Sequence, residues 1–573
     1  MPQAVDSVAS AVEQLSERLR ELESRVAALE DRASTFGYPR LTGTEIQEQR
    51  VKATGRGLPL MDVSSGAVPV LGKAVLGIAG AYLLRAIAES DIVPKLPVLF
   101  VAIVYAGWWM IWAARTHVRS RFAGVTYAIT SALILSPLLW ESTVRFQVLP
   151  VALAAAVLVA FMLLALALAW QRNLQAIPWI ATLAAVGTAL ALIIATRELV
   201  PLTAALLAVA LATEAAICLG HRLNLRAVPA VAADFAVWLL VYVLASAEAV
   251  PEGYHLVSAA TITGLCLALL AIYGGSIAVR SFGLRQRMTF FEIGQGVLAF
   301  GLAAYGVLRA TQGSAAAMLG ALFLLLAAAC YWGALWRFAD EAFVRNRRVC
   351  ATWAAALLLV GSFLLLPAAF QIPWLCLAAV AAAFIYARTA RFSLGLHASF
   401  YLAAAAGVSP LPGYVASALA GKVPAAPHWS VWIVGVSAAL CDTVGSRRIE
   451  DQGKRRLLWV VPTALVAFTC AALAVAAIVW VSTGRMELSA SRLSVIRTIV
   501  NCALALALGF LGSRWKRVEL GWVAYAAVAF GTLKLLFEDL RFGNAASLVV
   551  SLLFYGLILI LLPRLTRRWQ TDS

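Results

Sequence analysis

The amino-acid sequence predicts an all-α fold: a polytopic transmembrane helix array of about 18 spans, arranged as antiparallel hairpins, with an N-terminal coiled-coil helix. Three observations predict it. First, 62% of the 573 residues are hydrophobic and 13% are charged, whereas soluble domains are about half apolar and a quarter charged. Second, the apolar residues form runs of roughly 17–24 residues, long enough as helices to cross about 30 Å of hydrocarbon. Third, basic residues alternate between rich and poor connections along the chain, as the positive-inside rule expects.

Residues 1–36 are predicted to form the coiled-coil helix. Apolar residues recur there with alternating spacings of three and four, and mostly β-branched a positions with mostly leucine d positions favour a parallel dimer. The predicted core consists of Val5, Val8, Val12, Leu15, Leu19, Leu22, Val26 and Leu29. The alternative is a lone amphipathic helix on the membrane surface, which should have a broad apolar face and a basic polar face. The narrow apolar stripe favours self-association, so we expect a homo-oligomer.

The remaining chain is divided by composition into a linker over 37–67, a membrane domain over 68–563 and a basic tail over 564–573. Loops and flanks on one side of the predicted array carry 29 lysines and arginines, and those on the other side carry eight. This asymmetry predicts that both termini are cytoplasmic. It also accounts for the net charge of +17 without a nucleic-acid partner, so membrane lipid is the expected surrounding. Because the first 60 residues contain no apolar run, no cleavable signal peptide is expected.

One stretch of the array has two interpretations. Residues 392–446 contain Pro410, Pro412, Pro424 and Pro427 and are flanked by basic connections. The chain must therefore cross an even number of times there. Two crossings or a re-entrant hairpin over 393–444 both satisfy this requirement, and we expect two crossings.

Ionisable residues within the spans are candidate functional or structural groups, because charges are costly in hydrocarbon. The candidates are Glu214, Asp234, Glu292, Gln295, Arg85, Arg497, Lys534, Glu538 and Asp539. The three acids from Glu214 to Glu292 are predicted near the cytoplasmic face, beside arginines. They are expected either to pair with those arginines or to line a shared cytoplasmic vestibule. Lys534 is expected either to extend to the outer interface or to pair with an acid, and Glu538 shares its helix face.

Motifs of known chemistry are missing from the sequence. It has no phosphate-binding glycine loop, no His-Glu-x-x-His and no Gly-x-Ser-x-Gly. The cysteines and histidines are too scattered for a metal site, so neither a cofactor nor a metal is expected. His397 lies within a span and is either a catalytic group or, as favoured here, a hydrogen-bond partner between helices.

The carboxyl end resembles a known family. Residues 519–522 read Glu-Leu-Gly-Trp, Lys534 precedes Asp539 and Leu540 by a short spacing, and a last apolar span ends in the basic segment 564–568. This segment is similar to the end of a bacterial family of multi-spanning membrane proteins, domain of unknown function 2339. At the start of the last span the chain has Ala545, Ala546 and Ser547 where the family usually has an arginine. The resemblance implies a bacterial inner-membrane protein and no particular activity.

Three functional hypotheses follow. The first is a non-enzymatic scaffold or envelope-related protein of the inner membrane that self-associates through its N-terminal helix. The second is a membrane transporter or lipid flippase, a class that should show polar residues at mid-membrane. The third is a transferase acting on lipid-linked substrates, which should carry acidic or histidine clusters in its outer loops. The scarcity of polar residues at mid-depth favours the first hypothesis.

Overall fold

The computed structural model describes Ser24 and residues 60–90, 93–116, 121–172, 176–220, 226–245, 251–420, 426–446, 452–483, 490–539 and 545–567. The structure is 89% helical and has no strands in this part of the chain, which confirms the all-α prediction. The predicted coiled-coil core and most of the predicted linker lie outside the described residues.

The described residues form 19 α-helices. In chain order they are α1 (Leu60–Glu89), α2 (Lys95–Arg115), α3 (Arg121–Trp140), α4 (Val151–Arg172), α5 (Ala176–Thr196), α6 (Leu199–Cys218), α7 (Ala227–Leu244), α8 (Ala259–Ala278), α9 (Phe290–Ala310), α10 (Ala316–Trp332), α11 (Val344–Leu365), α12 (Ala368–Thr389), α13 (Phe392–Val408), α14 (Leu411–Leu419), α15 (Trp429–Ser446), α16 (Gln452–Thr483), α17 (Ala490–Trp515), α18 (Val518–Lys534) and α19 (Ala545–Arg567).

Most of these helices are long and apolar enough to cross a membrane. Of the described helices, 16 meet this condition singly, and the number rises to 17 if the bent pair α13 and α14 counts as one span. The shorter apolar helix within α15, Trp429–Gly445, is additional. The chain is therefore a multi-pass helical membrane protein.

The proline-rich stretch contains a broken helix. Helices α13 and α14 meet at an angle of 71°, at Ser409 and Pro410. A proline lacks the backbone N–H of a helical hydrogen bond and disfavours helical geometry in the preceding residue. Pro410 and Pro412 therefore end one helix and begin the next, and α15 follows after the connection. The structure thus places three helices where the sequence predicted two crossings or a re-entrant hairpin.

The chain divides into two compact units, residues 1–135 and residues 136–573. In the first unit, α1 and α2 approach closely at Gly77, because a Cβ atom there would lie 2.4 Å from the Trp109 ring. The Tyr105 hydroxyl donates a hydrogen bond to the Gly77 carbonyl at 3.1 Å. The Ser131 hydroxyl of α3 bonds the Ala106 carbonyl of α2 at 2.7 Å. Small residues thus permit close packing, as is usual between membrane helices.

In the second unit, consecutive helices pack as hairpins, and the pairs α8–α9, α10–α11, α12–α13 and α17–α18 are the most extensive consecutive ones. Glycines bring α10 and α11 together. A Cβ atom at Gly320 would lie 2.7 Å from the Leu365 nitrogen, and one at Gly361 would lie 2.9 Å from the Gly320 carbonyl. Gly320 near the start of α10 thus meets Leu365 at the end of α11, as expected for an antiparallel hairpin.

Arginines close the ends of two spans. Helix α8 continues into a π-helical turn, Val279–Gly283, and α10 into Gly333–Arg337. Arg337 donates to the Phe282 carbonyl at 3.0 and 2.7 Å, and Arg391 donates to the carbonyls of Ala334 and Leu335. The last carbonyls of a helix have no hydrogen-bond partner within that helix. A cation at this end also interacts favourably with the negative end of the helix dipole. Burial, with the charge of Arg347, lowers the pKa of Arg391 below its usual range.

Candidate functional site

A buried polar cluster joins α6, α7, α8 and α9. At its centre, Arg226 at the start of α7 binds Glu214 of α6 with two hydrogen bonds, 2.7 Å from Nε and 2.9 Å from Nη2. Its Nη1 atom also donates to Glu292 of α9 at 2.9 Å. Both glutamates are buried. One guanidinium therefore positions carboxylates from two other helices.

Local sequence explains the position of Glu292. Thr289 caps the start of α9, and Glu292 at the third helical position accepts a hydrogen bond from the Thr289 backbone N–H at 2.7 Å. This capping box orients the carboxylate. Arg280, in the π-helical turn after α8, also donates to Glu292. Its Nε atom donates to Gln286 at 3.0 Å, which fixes the guanidinium.

Glu214 likewise accepts hydrogen bonds from several donors. The Ser276 hydroxyl of α8 donates to it, in addition to the two bonds from Arg226. Two glutamates and two arginines thus form a neutral network in which each carboxylate has three donors. Such a network is costly to break, because removing one partner strands a buried charge.

Asp234 is held differently. It lies on α7 two turns beyond Arg226, is 4% exposed, and both its carboxylate oxygens accept from the single amide nitrogen of Gln295, at 2.9 and 2.8 Å. Gln295 is on α9, one turn after Glu292, and is also buried. Over the described stretches of the chain, no arginine, lysine or histidine forms an ion pair with Asp234. Asp234 is therefore a buried acid with an amide, rather than a cation, as its partner.

A buried tyrosine lies near this cluster along α8. Tyr273 is buried and stands one turn before Ser276, whose hydroxyl donates to Glu214. Helix α5, which also packs against α7, contributes no titratable residue within Ala176–Thr196. Among the described residues, the side chain hydrogen-bonded to Asp234 is thus the Gln295 amide.

A second polar cluster joins α15, α16 and α18. Arg517, just before α18, donates to Asp442 of α15 at 2.9 Å from Nη1 and to Glu519 at 2.8 Å from Nε. The Thr463 hydroxyl donates to Asp442 at 2.9 Å. Burial alone would lower the pKa of Arg517, but the hydrogen bonds and charges of Asp442 and Glu519 outweigh it and raise that pKa above its usual range.

Two cations are buried in the same half of the chain. Arg497 of α17 is 1% exposed and donates to the carbonyls of Ser417 and Ala418, at 2.9 Å each. These carbonyls belong to the last turn of α14, so Arg497 closes the broken helix. Lys534 of α18 is buried and donates to the Ser494 carbonyl at 2.9 Å and to the Thr498 hydroxyl at 2.7 Å. Its ammonium therefore lies between α17 and α18.

His397 belongs to a hydrogen-bonded chain between helices. Its Nδ1 atom is 2.9 Å from the Tyr331 hydroxyl of α10, which is 2.5 Å from the Tyr401 hydroxyl. His397 and Tyr401 are buried. This arrangement supports the interpretation of His397 as a link between helices α10 and α13.

The structure brings some predicted residues together and separates others. Glu214, Asp234, Glu292 and Gln295 meet in the first cluster, whereas Arg497 and Lys534 lie around α17. Arg85 belongs to the first unit and bonds Glu89 at 3.3 Å. The side chains of Glu538 and Asp539 lie outside the described part of the chain.

Sequence reasoning did not single out several partners. Arg226 is one of the arginines that the sequence placed near these acids, beside Asp234, but the structure pairs it with Glu214 and Glu292 instead. Arg280, Ser276, Tyr273, Asp442 and Arg517 were not candidate site residues. The sequence could have indicated Asp442, because it is the one acidic residue of a mostly apolar helix, Trp429–Ser446. The serine and tyrosine carried no signal, since such residues are ordinary in membrane helices.

The described residues contain no group of three or more histidine, cysteine or acidic side chains that could hold a metal ion. No family model, curated protein or solved structure matches this chain.

Proposed function

We propose that the protein is a bacterial inner-membrane transporter that binds and releases a proton at Asp234 during its cycle. The observation that carries this proposal is the contrast between Asp234 and its two neighbours. Glu214 and Glu292 are each neutralised by arginine, whereas Asp234 is buried against an amide. Acids of this kind within membrane helices are typical of proton relays in pumps and transporters.

The surroundings of Asp234 suit proton exchange. Asp234 accepts a hydrogen bond through either oxygen from the same Gln295 nitrogen, so a proton can bind one oxygen while the other keeps that bond. Since eight residues of helix rise about 12 Å, Asp234 lies about that far along α7 from Arg226. The loop charges assign the Arg226 end to the cytoplasm, so we propose that the proton exchanges with that side.

Infrared spectroscopy tests this proposal directly. The full-length protein, reconstituted in lipid vesicles, is compared in acidic and alkaline buffer for the C=O stretch of a protonated carboxylic acid. We expect a band that titrates in the parent and is missing in Asp234→Asn. Glu198→Gln, which removes a partly exposed acid beside His255, should keep the band. If Asp234→Asn keeps the titrating band, the proposal is wrong.

The topology belongs to the same proposal. We propose eighteen crossings with both termini cytoplasmic, in which α13 with α14 forms one crossing and α15 the next. The alternation of basic loops supports this count, because a miscounted span would invert it downstream. A reporter fused at Lys422 should be external and one fused at Asp451 cytoplasmic. A cytoplasmic reporter at Lys422 would show instead that the segment is re-entrant.

A second candidate function is the self-associating scaffold, and the heptad pattern of residues 1–36 favours it. A peptide of these residues should be helical with a stability that rises with concentration. Replacing Leu15 and Leu22 by serine should abolish association, because both occupy d positions. A peptide that stays monomeric at high concentration would exclude the self-associating scaffold. Membership in the family with domain of unknown function 2339 is compatible with either function and is proposed on the carboxyl-terminal motif.

A further inference from the structure

An apolar groove lies between two hairpins of the second unit, α8–α9 and α10–α11. Its volume is about 560 Å³, within the range of about 300–1,000 Å³ that is usual for small-molecule sites. The lining is apolar throughout and includes Leu267 and Leu270 of α8, Phe300 of α9, and Leu322 and Leu326 of α10. An apolar groove of this size within the hydrocarbon suits an apolar chain.

Small residues leave the groove open toward the membrane. Ala271, Gly275 and Ala278 lie along α8, and Ala329 faces them from α10. All four are exposed. A Cβ atom built at Gly275 would meet nothing within 4 Å, so a larger side chain there would occupy the groove without a clash at its Cβ.

One end of the groove is closed by a well-fixed floor. Phe282 and Met288 line that end, and the Phe282 ring stacks on Trp332 with centroids 6.2 Å apart. The Met288 backbone N–H donates to the side chain of the buried Asn346 at 2.9 Å, and Asn346 donates to the Gln286 carbonyl at 2.8 Å. The floor is therefore set by hydrogen bonds and not only by packing.

Arginines surround this same end. Arg285 and Arg287 precede Met288 in the α8–α9 connection, and Arg345 and Arg348 lie on the first turns of α11, just before the groove residue Cys350. All four are exposed. We call these four residues the basic collar. Asp340 and Glu341 are also exposed in the neighbouring connection, but the arginines outnumber them.

We infer that the groove binds one hydrocarbon chain of an anionic phospholipid, with the lipid phosphate at the basic collar. The apolar slot and the adjacent cations match the two parts of such a molecule. Basic pockets between membrane helices on the cytoplasmic side commonly bind anionic lipid head groups, and the loop charges assign the collar to that side. This inference is independent of proton binding at Asp234, which lies in the α6–α9 cluster.

Lipid binding to the purified full-length protein tests the inference. The protein in neutral detergent is titrated with spin-labelled phosphatidylglycerol and, separately, with spin-labelled phosphatidylcholine. The immobilised component of the spectrum is then measured. The parent should bind phosphatidylglycerol more tightly than phosphatidylcholine. Gly275→Leu should lose most of the immobilised lipid, because the leucine side chain fills the groove. Gly301→Leu is the matched control, since Gly301 is an exposed helical glycine of α9 with open space around it.

The head-group half of the inference is tested separately. Replacing Arg285 and Arg287 by glutamine should weaken phosphatidylglycerol binding by about tenfold or more, since each basic residue near a membrane surface contributes about 1 kcal/mol. The same replacement of the exposed Arg514 and Lys516 should leave it unchanged. Equal binding of both lipids by the parent, or undiminished binding in Gly275→Leu, would overturn the inference.

Discussion

In the part of the chain that the structure describes, different groups hold the buried charges of the α6–α9 cluster and the buried cations around α17, while Arg517 forms a further ionic cluster with Asp442 and Glu519. In the α6–α9 cluster, arginines are held by glutamates from other helices, and one acid, Asp234, has an amide partner. Around α17, the cations Arg497 and Lys534 donate to backbone carbonyls and hydroxyls. A cation bound to carbonyls is a structural cap, because carbonyls do not titrate. A carboxylate can change its charge, and in α6–α9 the buried Asp234 has an amide rather than a cation as its partner, so functional interest falls on that cluster.

The largest effect is expected at the centre of the first cluster. Arg226→Leu should lower the free energy of unfolding by about 3–5 kcal/mol, because it leaves the buried Glu214 without a cation and removes one of the two arginines bound to the buried Glu292. Unfolding in detergent, followed by tryptophan fluorescence, measures it. Arg197→Leu is the control, since Arg197 makes an exposed bond to the Glu252 carbonyl and should cost about 1 kcal/mol or less. Equal losses in the two variants would mean that the cluster is not a buried ionic network.

Arg517→Leu should destabilise by about 3 kcal/mol, at the lower end of that range. It removes the arginine from Glu519 and Asp442, but the Asp442 side chain is 17% exposed and keeps the Thr463 hydroxyl as a donor. The double variant Arg517→Leu with Asp442→Asn should recover part of the loss. Arg514→Leu, an exposed change in the same connection, should have no effect. If the double variant does not recover stability, the loss in Arg517→Leu does not come from the unpaired Asp442 charge.

Arg497→Met tests whether Arg497 caps the last carbonyls of α14. Two buried carbonyls of α14 would lose their charged donor, at an expected cost of about 1–3 kcal/mol. The loss should be local, so hydrogen exchange of the α14 amides should accelerate more than that of the α8 amides. Uniform acceleration across both helices would argue that Arg497 supports the whole unit rather than the end of one broken helix.

Much of the fold could be predicted from the sequence, because apolar runs and loop charges are local signals. The broken helix was foreseen only as an irregular stretch, since the prolines show where a helix ends but not the bend that follows. The site was harder to predict. Arg226 lies 12 residues from Glu214 but 66 from Glu292, and the second distance depends on how four helices pack. The sequence therefore predicted that the acids could pair with nearby arginines, while the identity of each partner and the amide partner of Asp234 are set by tertiary structure.

Lys534→Leu should cost only about 1 kcal/mol. The substitution removes a charge from the membrane, which is favourable, and Thr498 also donates to the Ser494 carbonyl at 3.1 Å. Thermal unfolding in detergent measures the change. A loss of several kcal/mol that is reversed by adding Glu538→Gln would reveal a stranded acid instead, and would make this region resemble the first cluster.

We expect Asp234→Asn to have the smallest effect on stability, within about 1 kcal/mol of zero. The asparagine oxygen can still accept a hydrogen bond from Gln295, and the substitution removes a buried charge. Glu214→Gln is the matched comparison. It also replaces a buried carboxylate by an amide on the next helix, but it leaves Arg226 with one carboxylate fewer, so it should destabilise by at least about 2 kcal/mol. Unfolding of both variants is followed in the same detergent. If Asp234→Asn is as damaging as Glu214→Gln, then Asp234 carries an essential structural charge, and the distinction between paired and titratable acids in this cluster fails.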